Sequence, residues 1–130
     1  MFKYRAADIP QMLHVVITGI MTEDEQRHYM ADLEPRVRSL KARYGYVLIL
    51  VDVSAADNET QARIGTARAR NGPLISADRD RLAVVMASNL LKATYKQHAP
   101  ASVSKAFVSA GAALTWLLAN EALPLSHRAA

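Results

Sequence analysis

The sequence predicts a single α/β domain with a mostly parallel sheet, and three observations lead to that prediction. Segments rich in Val, Ile and Leu alternate with segments whose apolar residues recur at helical spacing. Turn and cap residues separate these segments, and 51% of the 130 residues are hydrophobic, enough for a buried core. Strands that alternate with helices usually run parallel, because crossovers join them. We expect the domain to span residues 1–120 and residues 121–130, which lack periodicity, to form a flexible tail.

The first elements are a hairpin and a long helix. Met12–Ile20 is rich in Val and Ile and is predicted to be a strand, with Phe2–Arg5 pairing beside it. Thr22 and Glu25 then form a capping-box pattern, which marks the start of a helix. That helix carries an apolar stripe formed by Tyr29, Leu33, Val37, Leu40 and Tyr44.

Two residues shape the rest of this helix. Pro35 removes one backbone hydrogen bond, so we expect a bend or a fresh helical start near Leu33. Gly45 is expected to end the helix as its C-cap, because glycine readily adopts the left-handed conformation needed there.

The central strand is predicted at Tyr46–Val53. Its near-continuous apolar run indicates that both faces are covered, so Leu48–Val51 should be almost fully buried. The remaining elements are a helix through about Arg70 capped by Asp57 or Asn58, a strand Arg81–Ala87, a helix capped by Ser88 or Asn89, a strand Val103–Val108, and a last helix capped by Ser109. Trp116 lies beside the apolar stripe of that last helix, next to Leu117, and should therefore be partly buried in the core.

The charge distribution is uneven. The net charge is +4, and residues 61–98 hold seven Lys/Arg against only Asp78 and Asp80. A mildly basic, solvated face explains this, and without dense basic clusters interleaved with aromatics we expect no nucleic-acid partner. The absence of cysteine fits a reducing compartment. With no secretory signal and no stretch of ~18 apolar residues, we expect a soluble, cytoplasmic protein.

The sequence shows no pattern typical of catalysis or metal binding. The four histidines, His14, His28, His98 and His127, do not pair with one another or with carboxylates at a known ligand spacing. Nucleophile-elbow and phosphate-loop motifs are also missing. We therefore expect no catalytic residue, no metal, no cofactor and no enzymatic activity.

Polar residues follow the two central strands of the predicted sheet. In open α/β sheets, ligands bind outside the carboxyl ends of the strands, so these residues form a candidate rim. The rim comprises Asp52, Ser54, Asn58, Ser88 and Asn89. Turn and cap chemistry would account for the same residue types.

A basic helix face forms the second candidate surface. Arg63 and Arg70 are seven residues apart and share a face, and Arg68 flanks it. Such a face can bind an acidic partner or a phosphate head group, or it can be plain solvent surface.

Four segments together resemble the STAS family, and within it the bacterial SpoIIAA-like (anti-sigma-factor-antagonist-like) branch. They are Gly19–Thr22 followed by acidic residues, Pro35 with the strand Val47–Val53, Arg81–Val85, and Phe107–Val108 followed by Ala112–Leu117. The resemblance implies a mixed sheet with helices largely on one face. It also implies a non-enzymatic regulatory module that binds a partner protein, or a second copy of itself, through the rim and the helix 58–70.

The chain departs from that family at one point. Phosphorylatable members carry an Asp-Ser-Ser-Gly-like signature, where this chain reads Asp52-Val53-Ser54-Ala55. Phosphoserine switching therefore does not carry over, and Thr60, which we add to the rim, is only a loose positional match.

The alternative function is binding of an apolar small molecule or lipid. The STAS fold is similar to the core of CRAL-TRIO domains, which hold a lipid between sheet and helices, although this chain leaves no segment for a lid. A deep apolar cavity would favour this alternative, whereas a solid core with exposed apolar residues would favour a protein partner.

Overall fold

The computed structural model of the chain describes residues 1–7, 9–70, 75, 79–98 and 103–122. These residues form five strands and four helices in the predicted order. The strands are β1 (Phe2–Arg5), β2 (Met12–Gly19), β3 (Leu48–Ala56), β4 (Arg81–Val85) and β5 (Ser104–Phe107). The helices are α1 (Glu23–Tyr44), α2 (Asn58–Arg70), α3 (Asn89–His98) and α4 (Ala110–Ala122). The predicted domain boundary at residue 120 falls inside α4, and the tail from residue 123 lies outside the described residues.

The strands form one mixed sheet in the order β1-β2-β3-β4-β5. β1 runs antiparallel to β2, as predicted for a hairpin, and β2 to β5 run parallel to one another. The carboxyl ends of these four parallel strands therefore lie at one edge of the sheet.

Helices cover both faces of the sheet, with three on one side and one on the other. Side chains alternate between the faces of a strand, so Ile49 and Val51 point toward α1, α2 and α3, while Leu48 and Leu50 point toward α4. The larger core holds Tyr29, Leu33 and Val37 of α1, Ile64 of α2 and Tyr95 of α3. Half-buried Trp116 packs on the smaller core beside Phe107, as predicted.

The caps of α1 are those that the sequence predicts. The Glu25 N–H donates to Thr22 Oγ1 at 3.2 Å, and Gly45 ends the helix at a φ of 85°. The helix runs unbroken through Pro35, however, so a fresh start near Leu33 is excluded. Pro35 is exposed, and the residues on either side of it on the apolar stripe, Leu33 and Val37, are fully buried. Packing on the sheet thus holds the helix together across the missing hydrogen bond.

The central strand is buried as predicted but ends later. The exposed fractions of Leu48, Ile49, Leu50 and Val51 are 0, 0, 3 and 0%. β3 continues through Ser54 to Ala56, where a loop from Ser54 was predicted; that boundary is wrong. The extension pairs with the end of β2, after a register shift that sets Thr18 opposite Ala55.

None of the described helices combines the length and apolar character that crossing a membrane requires.

Candidate functional site

The two rim residues on β3, Asp52 and Ser54, are joined by hydrogen bonds. The Ser54 hydroxyl donates to Asp52 Oδ1 at 2.6 Å, and the Ser54 backbone N–H donates to the same oxygen at 3.0 Å. Asp52 is half-buried and Ser54 is exposed. The carboxylate therefore fixes the orientation of the strand end, while the serine remains accessible at the edge.

Thr60 lies below the surface of the rim. Its exposed fraction is 1%, and its hydroxyl accepts a hydrogen bond from the Met21 N–H at 3.1 Å. Its own N–H donates to Asp57 Oδ1 at 2.9 Å, which caps α2. The Thr60 hydroxyl and N–H lower the pKa of Asp57, and nearby Arg63 lowers it further. Thr60 thus ties α2 to the loop before α1 and offers no surface to a partner.

Gln61 supports the rim from beneath, a role that the sequence analysis missed. Its side chain is 1% exposed. Its amide nitrogen donates to the Ala56 carbonyl at 2.9 Å, and its amide oxygen accepts from the Ala87 N–H at 3.0 Å. The amide therefore bridges the carboxyl ends of β3 and β4. One signal was available, because Gln61 precedes Ile64 by three residues and so shares its inward face.

The remaining rim residues are exposed at the carboxyl edge. Asn58, Ser88 and Asn89 are all exposed. Ser88 also caps α3, since its hydroxyl accepts from the Leu91 N–H at 3.2 Å. Ser88 is therefore both the N-cap of α3 and an exposed residue of the rim.

Exposed apolar side chains accompany these polar residues. Ile20, Leu90 and Val108 are 70, 78 and 48% exposed. Ile20 directly follows β2, Val108 directly follows β5, and Leu90 is the second residue of the helix after β4. None of the three was predicted to be exposed, because each lies in a segment predicted to be a strand or a helix.

The predicted basic face is only partly described. The Arg63 side chain is 26% exposed; it lies 3.9 Å from Glu59, and its guanidinium donates to the Met21 carbonyl. The backbone of α2 carries Arg68 and Arg70, whose side chains lie outside the described residues. The described contacts of Arg63 are therefore within its own chain, with Glu59 and with the backbone of Met21.

Metal-ligating side chains do not cluster in the described part of the chain. His14 is half-buried on β2, and His28 is exposed on α1. No group of three or more His, Cys, Asp or Glu side chains among the described residues could hold a metal ion.

An open groove lies on the α4 side of the sheet. α4 contacts β3, β4 and β5, and the groove lies beside it, along β1 and the start of β2. The groove has a volume of about 700 Å³. Met12, Leu50 and Leu114 form its apolar lining, and Lys3 and Arg5 contribute positive charge.

Comparison with models of known protein families, with curated proteins and with solved structures found no match to this chain. The geometry of the carboxyl edge and of the groove is therefore the basis for inferring function.

Proposed function

We propose that this chain is a non-enzymatic interaction module of the STAS type, which binds a partner protein at the carboxyl edge of its sheet. The observation that carries the proposal is the placement of exposed apolar residues, Ile20, Leu90 and Val108, along that edge. Protein interfaces combine apolar and polar contacts, and here exposed serines and asparagines lie between Ile20 and Val108 along the edge. We call this surface the carboxyl-edge surface; it comprises Ile20, Ser54, Asn58, Ser88, Asn89, Leu90 and Val108.

The support beneath this surface favours binding. Gln61 joins the ends of β3 and β4, and Thr60 joins α2 to the loop that carries Ile20 and Met21. A surface that is already ordered loses little conformational entropy on association. The exposed hydroxyl and amide groups of Ser54 and Asn58 also cost little to desolvate.

The STAS part of the proposal rests on the resemblance described above. The mixed sheet, with an antiparallel first strand and three of its four helices on one face, is compatible with that resemblance.

Site-specific photocrosslinking in a lysate of the native host tests this proposal. A photoreactive amino acid at Ile20 or Leu90 should give one discrete adduct, whereas the same group at Ser39, exposed on α1, should not. The purified partner should then lose about tenfold or more in affinity when Ile20→Asp places a charge on this apolar part of the surface. Folding should be nearly unaffected, because surface substitutions usually change stability by less than about 0.5 kcal/mol.

Two results would contradict the proposal. One is an identical adduct pattern at Ser39 and at the edge positions, which would indicate non-specific capture. The other is full binding of the purified partner by the folded Ile20→Asp variant.

The groove beside α4 favours a second candidate, binding of an apolar ligand as in the CRAL-TRIO alternative. Its volume of about 700 Å³ lies within the range of roughly 300–1,000 Å³ typical of small-molecule sites. An apolar lining with Lys3 and Arg5 at the β1 side suits an amphipathic anion such as a fatty acid.

Displacement of a fluorescent fatty acid tests this candidate. Leu114→Trp should fill the groove and weaken saturable binding by about tenfold, since a bulky side chain there competes with ligand for space. Ala42→Trp, on the exposed side of α1, is the matched control and should bind as the wild type does. Absence of saturable binding in the wild type, or equal binding by the Leu114→Trp variant, would exclude a ligand in this groove.

A further inference from the structure

A second groove runs along the outer side of β5. β5 is the last strand of the sheet, and within the described ranges it pairs with β4 alone. The groove has a volume of about 540 Å³. It is lined by Asn89, Lys92, Ala93, Tyr95, Lys96, Ser104, Lys105, Ala106 and Trp116. We call it the β5-edge groove.

One wall of the groove is a face of α3. Lys92 and Ala93 each lie three or four residues from Asn89 and from Lys96, so the four residues share one side of the helix. Behind them, the buried hydroxyl groups of Tyr95 and Ser104 form a hydrogen bond that joins α3 to β5. This wall is therefore held at a fixed position beside the strand.

The opposite wall is formed by α4. Trp116 lines the groove, and its ring lies 5.7 Å from that of Phe107, between ring centroids. Since side chains alternate along a strand, Ser104 and Ala106 face the α3 side, and Lys105 and Phe107 face the α4 side. The groove thus wraps around the strand edge.

The backbone of β5 presents hydrogen-bonding groups to this groove. The carbonyls of Val103 and Phe107 point toward β4, because they accept from the Leu82 and Met86 N–H groups at 2.7 and 2.8 Å. Backbone groups alternate in direction along a strand, so the N–H and C=O groups of Ser104 and Ala106 point away from β4. These residues are 7 and 4% exposed and lie at the floor of the groove. They form a template to which another strand can be added.

The charge along the groove has one sign. Lys92, Lys96 and Lys105 line it, and among the described side chains no carboxylate does. The sequence has no Asp or Glu from residue 81 to residue 120. In the described part of the chain, none of these three lysines forms an ion pair. Lysine on an edge strand prevents self-association, which accounts for Lys105. It does not account for Lys92 and Lys96, which lie on the helix.

We propose that the β5-edge groove binds an extended acidic peptide segment as a sixth strand. Main-chain hydrogen bonds to Ser104 and Ala106 would provide affinity. Acidic side chains at alternate positions share one face of the added strand, where they would reach Lys92 and Lys96 on the α3 wall, and the apolar side chains between them would face the α4 wall. Trp116 provides a flat apolar surface for a neighbouring residue of the peptide. This site goes beyond the carboxyl-edge function and shares only Asn89 with it.

The test uses the full chain and a labelled peptide in which Glu alternates with Val. Fluorescence anisotropy should show saturable, salt-sensitive binding, and the emission of Trp116, the one tryptophan of the chain, should change. Lys92→Glu with Lys96→Glu should lower affinity by about tenfold or more, because like charges then face each other. Arg27→Glu with Arg38→Glu, on the exposed side of α1, makes the same change in net charge and should leave affinity nearly unchanged.

Two further measurements distinguish strand addition from simple charge attraction. Peptide binding should slow hydrogen exchange at the Ser104 and Ala106 amides, and N-methylation of alternate peptide residues should abolish binding. Equal binding of the N-methylated peptide, equal loss in both double variants, or tighter binding of a single-stranded RNA of matched charge would overturn the proposal. If the Lys92/Lys96 double variant is unfolded by circular dichroism, Lys→Gln substitutions at the same positions replace it. Crosslinking at Ile20 is independent of this groove, so the two proposals fail separately.

Discussion

Replacing Lys41 with methionine should destabilise the fold by about 3 kcal/mol, because it removes the ammonium group that is ion-paired with the buried Asp80 carboxylate. Asp80 is 1% exposed. Its Oδ2 lies 2.7 Å from Lys41 Nζ, and its Oδ1 accepts from the Val47 N–H at 2.9 Å. The carboxylate thus joins the end of α1 to the residues before β3 and β4. The bond from Val47 remains in the variant, which places the loss at the lower end of the range for broken buried pairs.

Urea unfolding of three variants measures this effect. Lys41→Arg keeps the charge and should retain most of the stability. Arg38→Met removes an ion pair with Glu34 whose side chains are 75 and 47% exposed, so it should cost less than about 1 kcal/mol. A loss for Lys41→Met no larger than that for Arg38→Met would show that Asp80 is not stabilised by Lys41.

Most of the fold could be predicted because its signals are local. The ends of α1 follow from the chemistry of Thr22 and Gly45, each acting within a few residues. The apolar run of β3 likewise indicates a strand covered on both faces. The end of β3 could not be predicted in this way, since Ser54, Ala55 and Ala56 lack an apolar pattern. They become strand by pairing with Thr18 and Gly19, which are distant in sequence.

The candidate site was predicted less completely, for a related reason. The strand-end rule anticipated that Ser88 follows β4, but Ser54 lies inside β3, two residues before the strand ends. Both serines are exposed. Thr60 and Arg63, however, both form hydrogen bonds with backbone atoms of Met21, about forty residues earlier in the chain. No periodicity or spacing within α2 reveals such a contact. The contact between Asp80 and Lys41 could not be predicted either. In the sequence, Asp80 is only one of two acidic residues in a basic segment.

The second large effect is expected in the central strand, from Ile49→Ala and Leu50→Ala. These neighbours are 0 and 3% exposed, and both substitutions remove the same number of carbon atoms. Each should cost about 2–5 kcal/mol, combining lost transfer free energy with the cost of a cavity. The transfer free energies of the removed atoms are similar. Any difference in the free energy of unfolding between the two variants therefore reports on the cavities that they leave.

The two positions differ in what lies beside them. Ile49 packs in the core under α1, α2 and α3, where a cavity would be enclosed, whereas Leu50 lines the open groove beside α4. The space left by Leu50→Ala can open into the groove, where water can occupy part of it. We therefore expect a loss near 4 kcal/mol for Ile49→Ala and nearer 2 kcal/mol for Leu50→Ala, measured by urea unfolding at unchanged m-value. A loss well below 2 kcal/mol at Ile49 would place β3 outside the core. Equal losses at both positions would mean that the groove is closed over Leu50, which would also remove the basis for an apolar ligand there.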